Sequence, residues 1–130
     1  MTRQRAIADT SVLIGVEAGR ITGELLTEYE WAVSSITFGE LELGVVRAAD
    51  PESTARRLAT LRLAQLFDPL PVDERVASAW ALMVARLREA GRKAPINDTW
   101  IAATAVSHGV PLITQDTDYQ QMPGLTVITV

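Results

Sequence analysis

Five short apolar runs alternate along this chain with longer segments of helical periodicity, and that alternation narrows the fold more than any other feature. The runs are Ala6-Ile7-Ala8, residues 31–36, residues 67–72, Pro111-Leu112-Ile113 and Thr126-Val127-Ile128. They read as strands, the first and second as buried ones. Pro69 and Pro71 put the third run at a sheet edge, because proline cannot donate to an inner ladder. Between the runs, Val76, Trp80, Met83, Val84 and Leu87 recur at i, i+4, i+7, i+8 and i+11 behind Asp73, and Gly91 ends that helix. Further helices are expected from Val12 towards Ala18 behind Asp9-Thr10-Ser11, over residues 21–29, and from a Thr37 cap through Leu41, Val45 and Ala48. Pro51 opens another that runs to Leu66, and Asn97-Asp98 opens an alanine-rich one that ends at His108-Gly109. Strands alternating with helices predict an α/β domain, a three-layer α/β/α sandwich around a mainly parallel sheet of four to five strands.

With 130 residues, 48% of them hydrophobic, residues 1–130 form one domain that buries roughly two-thirds of its unfolded surface. The absence of cysteine removes disulfides, thiolate metal sites and thiol catalysis together, and fits a reducing cytoplasm. Asp9 interrupts the N-terminal apolar stretch, so no signal peptide is read, and no run reaches the roughly 20 residues needed to cross a bilayer. A soluble protein is expected. The formal net charge of −4 counts against a plain nucleic-acid-binding module, unless divalent cations concentrate positive charge at a phosphate site.

Such cations are what the acidic residues suggest. Asp9 follows the first run and Asp116 follows Leu112-Ile113-Thr114; Glu40 is expected in the first turn of the helix after the second run, and Asp98 in the first turn after Asn97. In an open parallel sheet these positions gather at the carboxyl edge of the strands. Like charges about 4 Å apart cost roughly 4 kcal/mol at an effective dielectric near 20, so a cluster needs shared protons or a cation. Oxygen donors without cysteine or histidine select hard ions, Mg²⁺ or Mn²⁺. Taken singly, Asp9 is better explained as a cap and Asp116 is equally explained as a turn former; the reading rests on four coincident placements.

Asp118 stands two residues from Asp116 and is a further candidate ligand, or an exposed turn residue. Asn97 can cap its helix and free Asp98, while Ser11 and Thr114 can orient a carboxylate or simply cap. The lone histidine, His108, sits where a helix C-terminus explains it. Trp31, Trp80 and Trp100 are expected as core or interface anchors rather than base-stacking platforms. Of 12 basic residues only Lys93 is lysine; Arg86, Arg88, Arg92 and Lys93, with Arg56, Arg57 and Arg62, form either a phosphate-tracking rim or a solvated helix face.

These segments together resemble PIN-domain proteins, specifically the VapC toxins of bacterial VapBC toxin–antitoxin pairs. The resemblance is carried by Ala8-Asp9-Thr10-Ser11-Val12-Leu13-Ile14, by Ser35 through Glu40-Leu41-Glu42-Leu43-Gly44, by Asn97-Asp98-Thr99-Trp100-Ile101-Ala102-Ala103, and by Leu112-Ile113-Thr114-Gln115-Asp116-Thr117-Asp118-Tyr119. It implies a Mg²⁺- or Mn²⁺-dependent endoribonuclease with one or two ions per site, in which Asp9, Glu40, Asp98 and Asp116 match the family's acidic positions. It also implies a small VapB-like antitoxin, a toxin homodimer within a hetero-oligomer, and a structured RNA substrate such as transfer or ribosomal RNA. Two other classes stay open: a Mg²⁺-dependent small-molecule phosphohydrolase, and a non-catalytic partner-binding module of the same fold.

Overall fold

The computed structural model describes residues 3–130. Its strands are β1 (Arg5–Ala8), β2 (Glu30–Ser34), β3 (Asp68–Leu70), β4 (Leu112–Thr114) and β5 (Val127–Thr129). Its helices are α1 (Thr10–Glu17), α2 (Leu25–Glu28), α3 (Ser35–Val46), α4 (Pro51–Ala64), α5 (Glu74–Glu89) and α6 (Ile96–His108), and a 3₁₀ turn covers Thr117–Gln121. All five strands pair in parallel in the order β3-β2-β1-β4-β5. The chain therefore builds outward from β1 on one side, through β2 and β3, and then returns to add β4 and β5 on the other. The order reverses between β1 and β4, and a crevice for ligands opens at such a point.

Side-chain alternation along the strands divides the core into two faces. Ile7, Ala32 and Leu112 pack with Met83 and Leu87 of α5 and with Ile101, Ala102 and Ala105 of α6. Ala6, Ala8, Trp31, Val33 and Ile113 pack on the opposite face with Val12 and Phe38. A third cluster joins Leu13, Leu41, Leu61 and Ala64 where α1, α3 and α4 meet. The alanines of α6 let its backbone lie close to the sheet, as their expected packing requires. Pro69 sits in β3, an edge strand, in line with the proline argument.

Several boundaries differ from the sequence reading. The helix expected over residues 21–29 contracts to α2, because Gly23 weakens it and the chain must turn back from α1 to enter β2. Strand β2 stops at Ser34 rather than at residue 36. The Ser34 side chain accepts from the Ile36 amide at 3.2 Å, so α3 starts two residues before Thr37. Glu40 is thereby the sixth residue of α3, in its second turn. Asn97 is not a cap either: α6 begins at Ile96 with Pro95 in the N-cap position, which leaves the Asn97 amide free to reach elsewhere. Asp73 does cap α5, its carboxylate accepting from the Val76 amide at 2.9 Å. Gly109 ends α6 with φ 65°, a left-handed conformation suited to glycine, just after His108.

The tryptophans behave as packing anchors. Trp80 of α5 and Trp100 of α6 stack with centroids 4.5 Å apart and planes within 5°. Trp31 is buried, meets Tyr29 edge to face, and donates from its indole N–H to the Leu26 carbonyl at 3.1 Å.

Candidate metal centre

Asp9 is the first residue beyond β1, and its amide still bonds the Ile113 carbonyl of β4 at 2.9 Å. It occupies the N-cap position of α1, yet its side chain makes no cap hydrogen bond. The carboxylate instead turns into the crevice, where it is 4% exposed. Its Oδ2 accepts from Ser11 Oγ at 2.6 Å and from Thr114 Oγ1 at 2.8 Å. Ser11 also accepts from the Gln115 amide at 3.0 Å, and Thr114 from the Asp116 amide at 2.9 Å. These two hydroxyls tie the ends of β1 and β4 together while fixing one carboxylate rotamer.

The other carboxylates come from the flanking helices and the final loop. Asp98 lies in the first turn of α6, where the helix N-terminus favours an anion. Glu40 reaches in from α3: its Oε1 accepts from Thr10 Oγ1 at 2.7 Å, and its Oε2 lies 3.4 Å from Asn97 Nδ2. Thr10 Oγ1 is itself 3.0 Å from the buried Thr37 hydroxyl, so the residue expected as a cap supports the Glu40 contact instead. Asp116 caps the 3₁₀ turn by accepting from the Asp118 amide at 2.9 Å. Carboxylate oxygens of Asp98, Asp116 and Asp118 all lie within 4.8 Å of one another.

Tyr119 completes the arrangement; the sequence reading names it as the last residue of a motif and gives it no role. Its side chain is fully buried, and its hydroxyl lies 2.9 Å from Asp9 Oδ1 and 3.1 Å from Asp98 Oδ1. Burial and then the two neighbouring carboxylates push its pKa far above the usual tyrosine range, so it stays a donor. One proton thus serves two acids. The only sequence signal was its place directly after Asp116-Thr117-Asp118 in a chain with 5% aromatic residues.

Among the described residues no ion pair neutralises the cluster: the ion pairs are Arg5–Asp68 and Arg56–Glu52, and neither touches these acids. Burial raises the Asp98 pKa above the ordinary carboxylate value, and the charges of Asp9, Asp116 and Glu40 raise it further, while the Tyr119 hydrogen bond opposes them. Asp98 thus lies within electrostatic reach of the other three acids. An all-oxygen donor set, anionic and unneutralised, fits a hard divalent cation.

Of the other residues considered, Arg92 and Lys93 line a cavity that also includes Asp118, whereas Arg86 and Arg88 are exposed on the last turn of α5. Arg56 pairs with Glu52, and Arg57 donates to the Gly44 carbonyl at 2.7 Å, both on the α3–α4 side. His108 is exposed at the end of α6. No described helix is long and apolar enough to cross a membrane.

Comparison with known proteins gives the family and the fold. Residues 6–125 match the family model for the PIN domain. The chain is 56% identical over 130 residues to Ribonuclease VapC4 of Mycobacterium tuberculosis, covering 100% of both proteins. It is 40% identical to Ribonuclease VapC5 of the same organism, over 99% of this chain and 96% of that protein. A crystal structure of a member of the VapBC family of toxin–antitoxin systems, VapBC-5 from Mycobacterium tuberculosis, contains a chain that superposes with a TM-score of 0.82 at 37% identity, covering 97% of each. The chain belongs to the PIN-domain family, in its VapC branch.

Proposed function

We propose that this chain is a ribonuclease toxin of the VapC kind, that it cleaves structured RNA such as transfer or ribosomal RNA, and that Asp9, Glu40, Asp98 and Asp116 hold one or two Mg²⁺ or Mn²⁺ ions for that reaction. The single observation behind the reading is the convergence of these carboxylates, two of them joined through one tyrosine hydroxyl, at the switch point of a parallel sheet. Asp118, whose carboxylate lies beside Asp98 and Asp116, is a further ligand from the outer side. When bound, such an ion supplies Lewis-acid stabilisation of phosphoryl charge and a hydroxide nucleophile at neutral pH.

The chain's own contribution is position and charge. Ser11 and Thr114 fix the Asp9 carboxylate, Thr10 and Asn97 fix Glu40, and Tyr119 sets the spacing between Asp9 and Asp98. Each of these neighbours is a neutral donor. They lock rotamers without cancelling the negative charge that a divalent ion requires. The lone histidine is remote from that edge, at the opposite end of α6, which disfavours cleavage by histidine acid–base chemistry through the ribose 2′-hydroxyl.

The relatives named as ribonucleases, and the VapBC crystal structure, support the toxin reading and a VapB-like antitoxin as partner. A groove of about 530 Å³ between α1, α3 and α4 favours this partner. It is lined by Ile14, Leu41, Leu43, Arg47 and Arg57 and ends at Glu40. Leu43 in the groove and Val46 one turn further along α3 are exposed apolar residues, so an antitoxin segment lying there reaches Glu40 at the acidic edge. A homodimer assembling with antitoxin in the cytoplasm completes the reading.

Incubating purified protein with transfer and ribosomal RNA, with Mg²⁺ or Mn²⁺ and with chelator, tests it. Cleavage should need the ion and leave 5′-phosphate and 3′-hydroxyl ends. Asp9→Asn should abolish it while keeping the fold. Cyclic phosphate ends, or cleavage undiminished by chelator, would reject the metal assignment.

A further inference from the structure

Beside the acidic cluster lies a cavity of about 500 Å³ that the proposed chemistry does not use. Its floor is apolar: Leu87 of α5 and Met122 beyond the 3₁₀ turn are 3% and 6% exposed, and Pro95 forms one side at the start of α6. Its rim is polar and basic, with Arg92 and Lys93 on the α5–α6 loop facing Asp118 and Gln121. The Asp118 carboxylate belongs both to this wall and to the Asp98–Asp116 group, so the cavity is continuous with the acidic edge.

We propose that this cavity is a nucleotide subsite, holding the base of an RNA residue next to the scissile phosphate, with Lys93 and Arg92 on its backbone phosphate. The inference rests on the RNA-cleaving reading and deepens it. Size fits, since small-ligand pockets span about 300–1,000 Å³. Chemistry fits as well. A base presents two apolar faces and a polar edge, and single-stranded RNA is recognised by stacking those faces while hydrogen bonding the edge. Leu87, Pro95 and Met122 supply the apolar contact.

Gln121 supplies the edge. Its Oε1 accepts from Arg92, which orients the side-chain amide and leaves the amide N–H groups for a base acceptor. The charges fit too. Among the described residues neither Arg92 nor Lys93 is in an ion pair, in a chain of net charge −4 whose only lysine is Lys93. Two unpaired cations beside a cluster of carboxylates are misplaced for ion pairing with it and well placed for the phosphate that follows the one being cut.

Methyl-labelled full-length protein in EDTA, titrated with AMP, GMP, CMP, UMP and ribose 5-phosphate, tests the subsite by NMR. At least one nucleotide should move the Met122 methyl signal saturably and bind about tenfold tighter than ribose 5-phosphate, as burial of a base's apolar faces against Leu87, Pro95 and Met122 would give. Lys93→Gln should weaken that binding severalfold. In RNA cleavage, Gln121→Ala should change the ratio of cut sites and Lys93→Gln should raise KM. A Met122 signal unmoved by all four nucleotides, or equal affinity for ribose 5-phosphate, overturns the subsite. Cleavage with an unaltered pattern and KM in both variants also overturns it while leaving the activity standing. Absence of cleavage by the unaltered protein overturns the activity itself, and the NMR arm still reads the cavity.

Discussion

Tyr119 has one hydroxyl proton and two carboxylate oxygens within reach of it. Whichever acid receives the proton, the other is held at a fixed distance by the same oxygen, so the residue sets the spacing of Asp9 and Asp98. Removing the hydroxyl alone, by Tyr119→Phe, keeps the buried ring and its packing. Loss of such a supporting contact typically weakens metal binding about 10- to 100-fold. Isothermal titration with Mn²⁺ should show a loss in that range with the circular dichroism spectrum unchanged; equal affinity would remove Tyr119 from the site. Asp98 offers a second check. Its raised pKa means the folded chain binds that proton more tightly than the unfolded one. The stabilisation it provides is full only below the unfolded carboxylate value, and it is lost as pH rises through the folded value. At neutral pH without metal the ionised Asp98 therefore strains the fold. Asp98→Asn should melt higher than the unaltered protein in EDTA at pH 7, with the gap closing towards pH 4, and should show no cleavage. The acids were legible as candidates because Asp9 and Asp116 follow apolar runs, Asp98 lies in the first turn of a helix, and Glu40 lies early in the helix after the second run. Tyr119 was not, because its partners lie 110 and 21 residues away and nothing local to it signals a contact.

Helix starts decide where side chains point: at α3 a shift of two residues moves a ligand by a turn, and at α6 a similar shift frees a neighbour of one. Ser34 and Thr37 are both good caps, and the apolar residues around them suit a strand or a helix equally well. Pairing of β2 with β3 continues through Ser34 and Leu70, so the strand ends there and α3 begins at Ser35. Glu40 falls in the second turn in consequence, and Thr37 becomes a buried partner of Thr10. At α6 the same competition runs between Pro95 and Asn97, and Asn97 is released to Glu40. Asp73 is the plainer case: it was legible as a cap and caps α5. Asp73→Ala should cost about 1 kcal/mol in urea denaturation, the usual worth of an N-cap. RNA cleavage should be unaffected at temperatures where the variant is folded, since α5 carries none of the proposed ligands. A larger loss, or a loss of activity without unfolding, would mean α5 positions the site more directly than its contacts indicate.

At the scale of the molecule, folding brings together anions from the end of β1, α3, α6 and the loop after β4, and among the described residues none of them is in an ion pair with a cation of the chain. Binding of a divalent ion should therefore stabilise the native state. At a concentration about 100-fold above its dissociation constant the gain is about 2.7 kcal/mol, which for a chain of this size raises Tm by roughly 10 °C. Calorimetry should show this shift with Mg²⁺ or Mn²⁺ at pH 7 and a smaller one at pH 4.5, where protons compete for Asp98. A Tm indifferent to either ion at pH 7 would exclude a metal centre. By itself the sequence determined the fold class, the parallel sheet with its proline-bearing edge, and which acids are candidates for that edge, since period, capping and turn chemistry are local. Only the tertiary structure decided the strand order that reverses beside Asp9, the burial of Tyr119 between two carboxylates, and the cavity next to Asp118. Each of these depends on which distant segments come into contact, and distances across a sheet leave no trace in the spacing of residues along a chain.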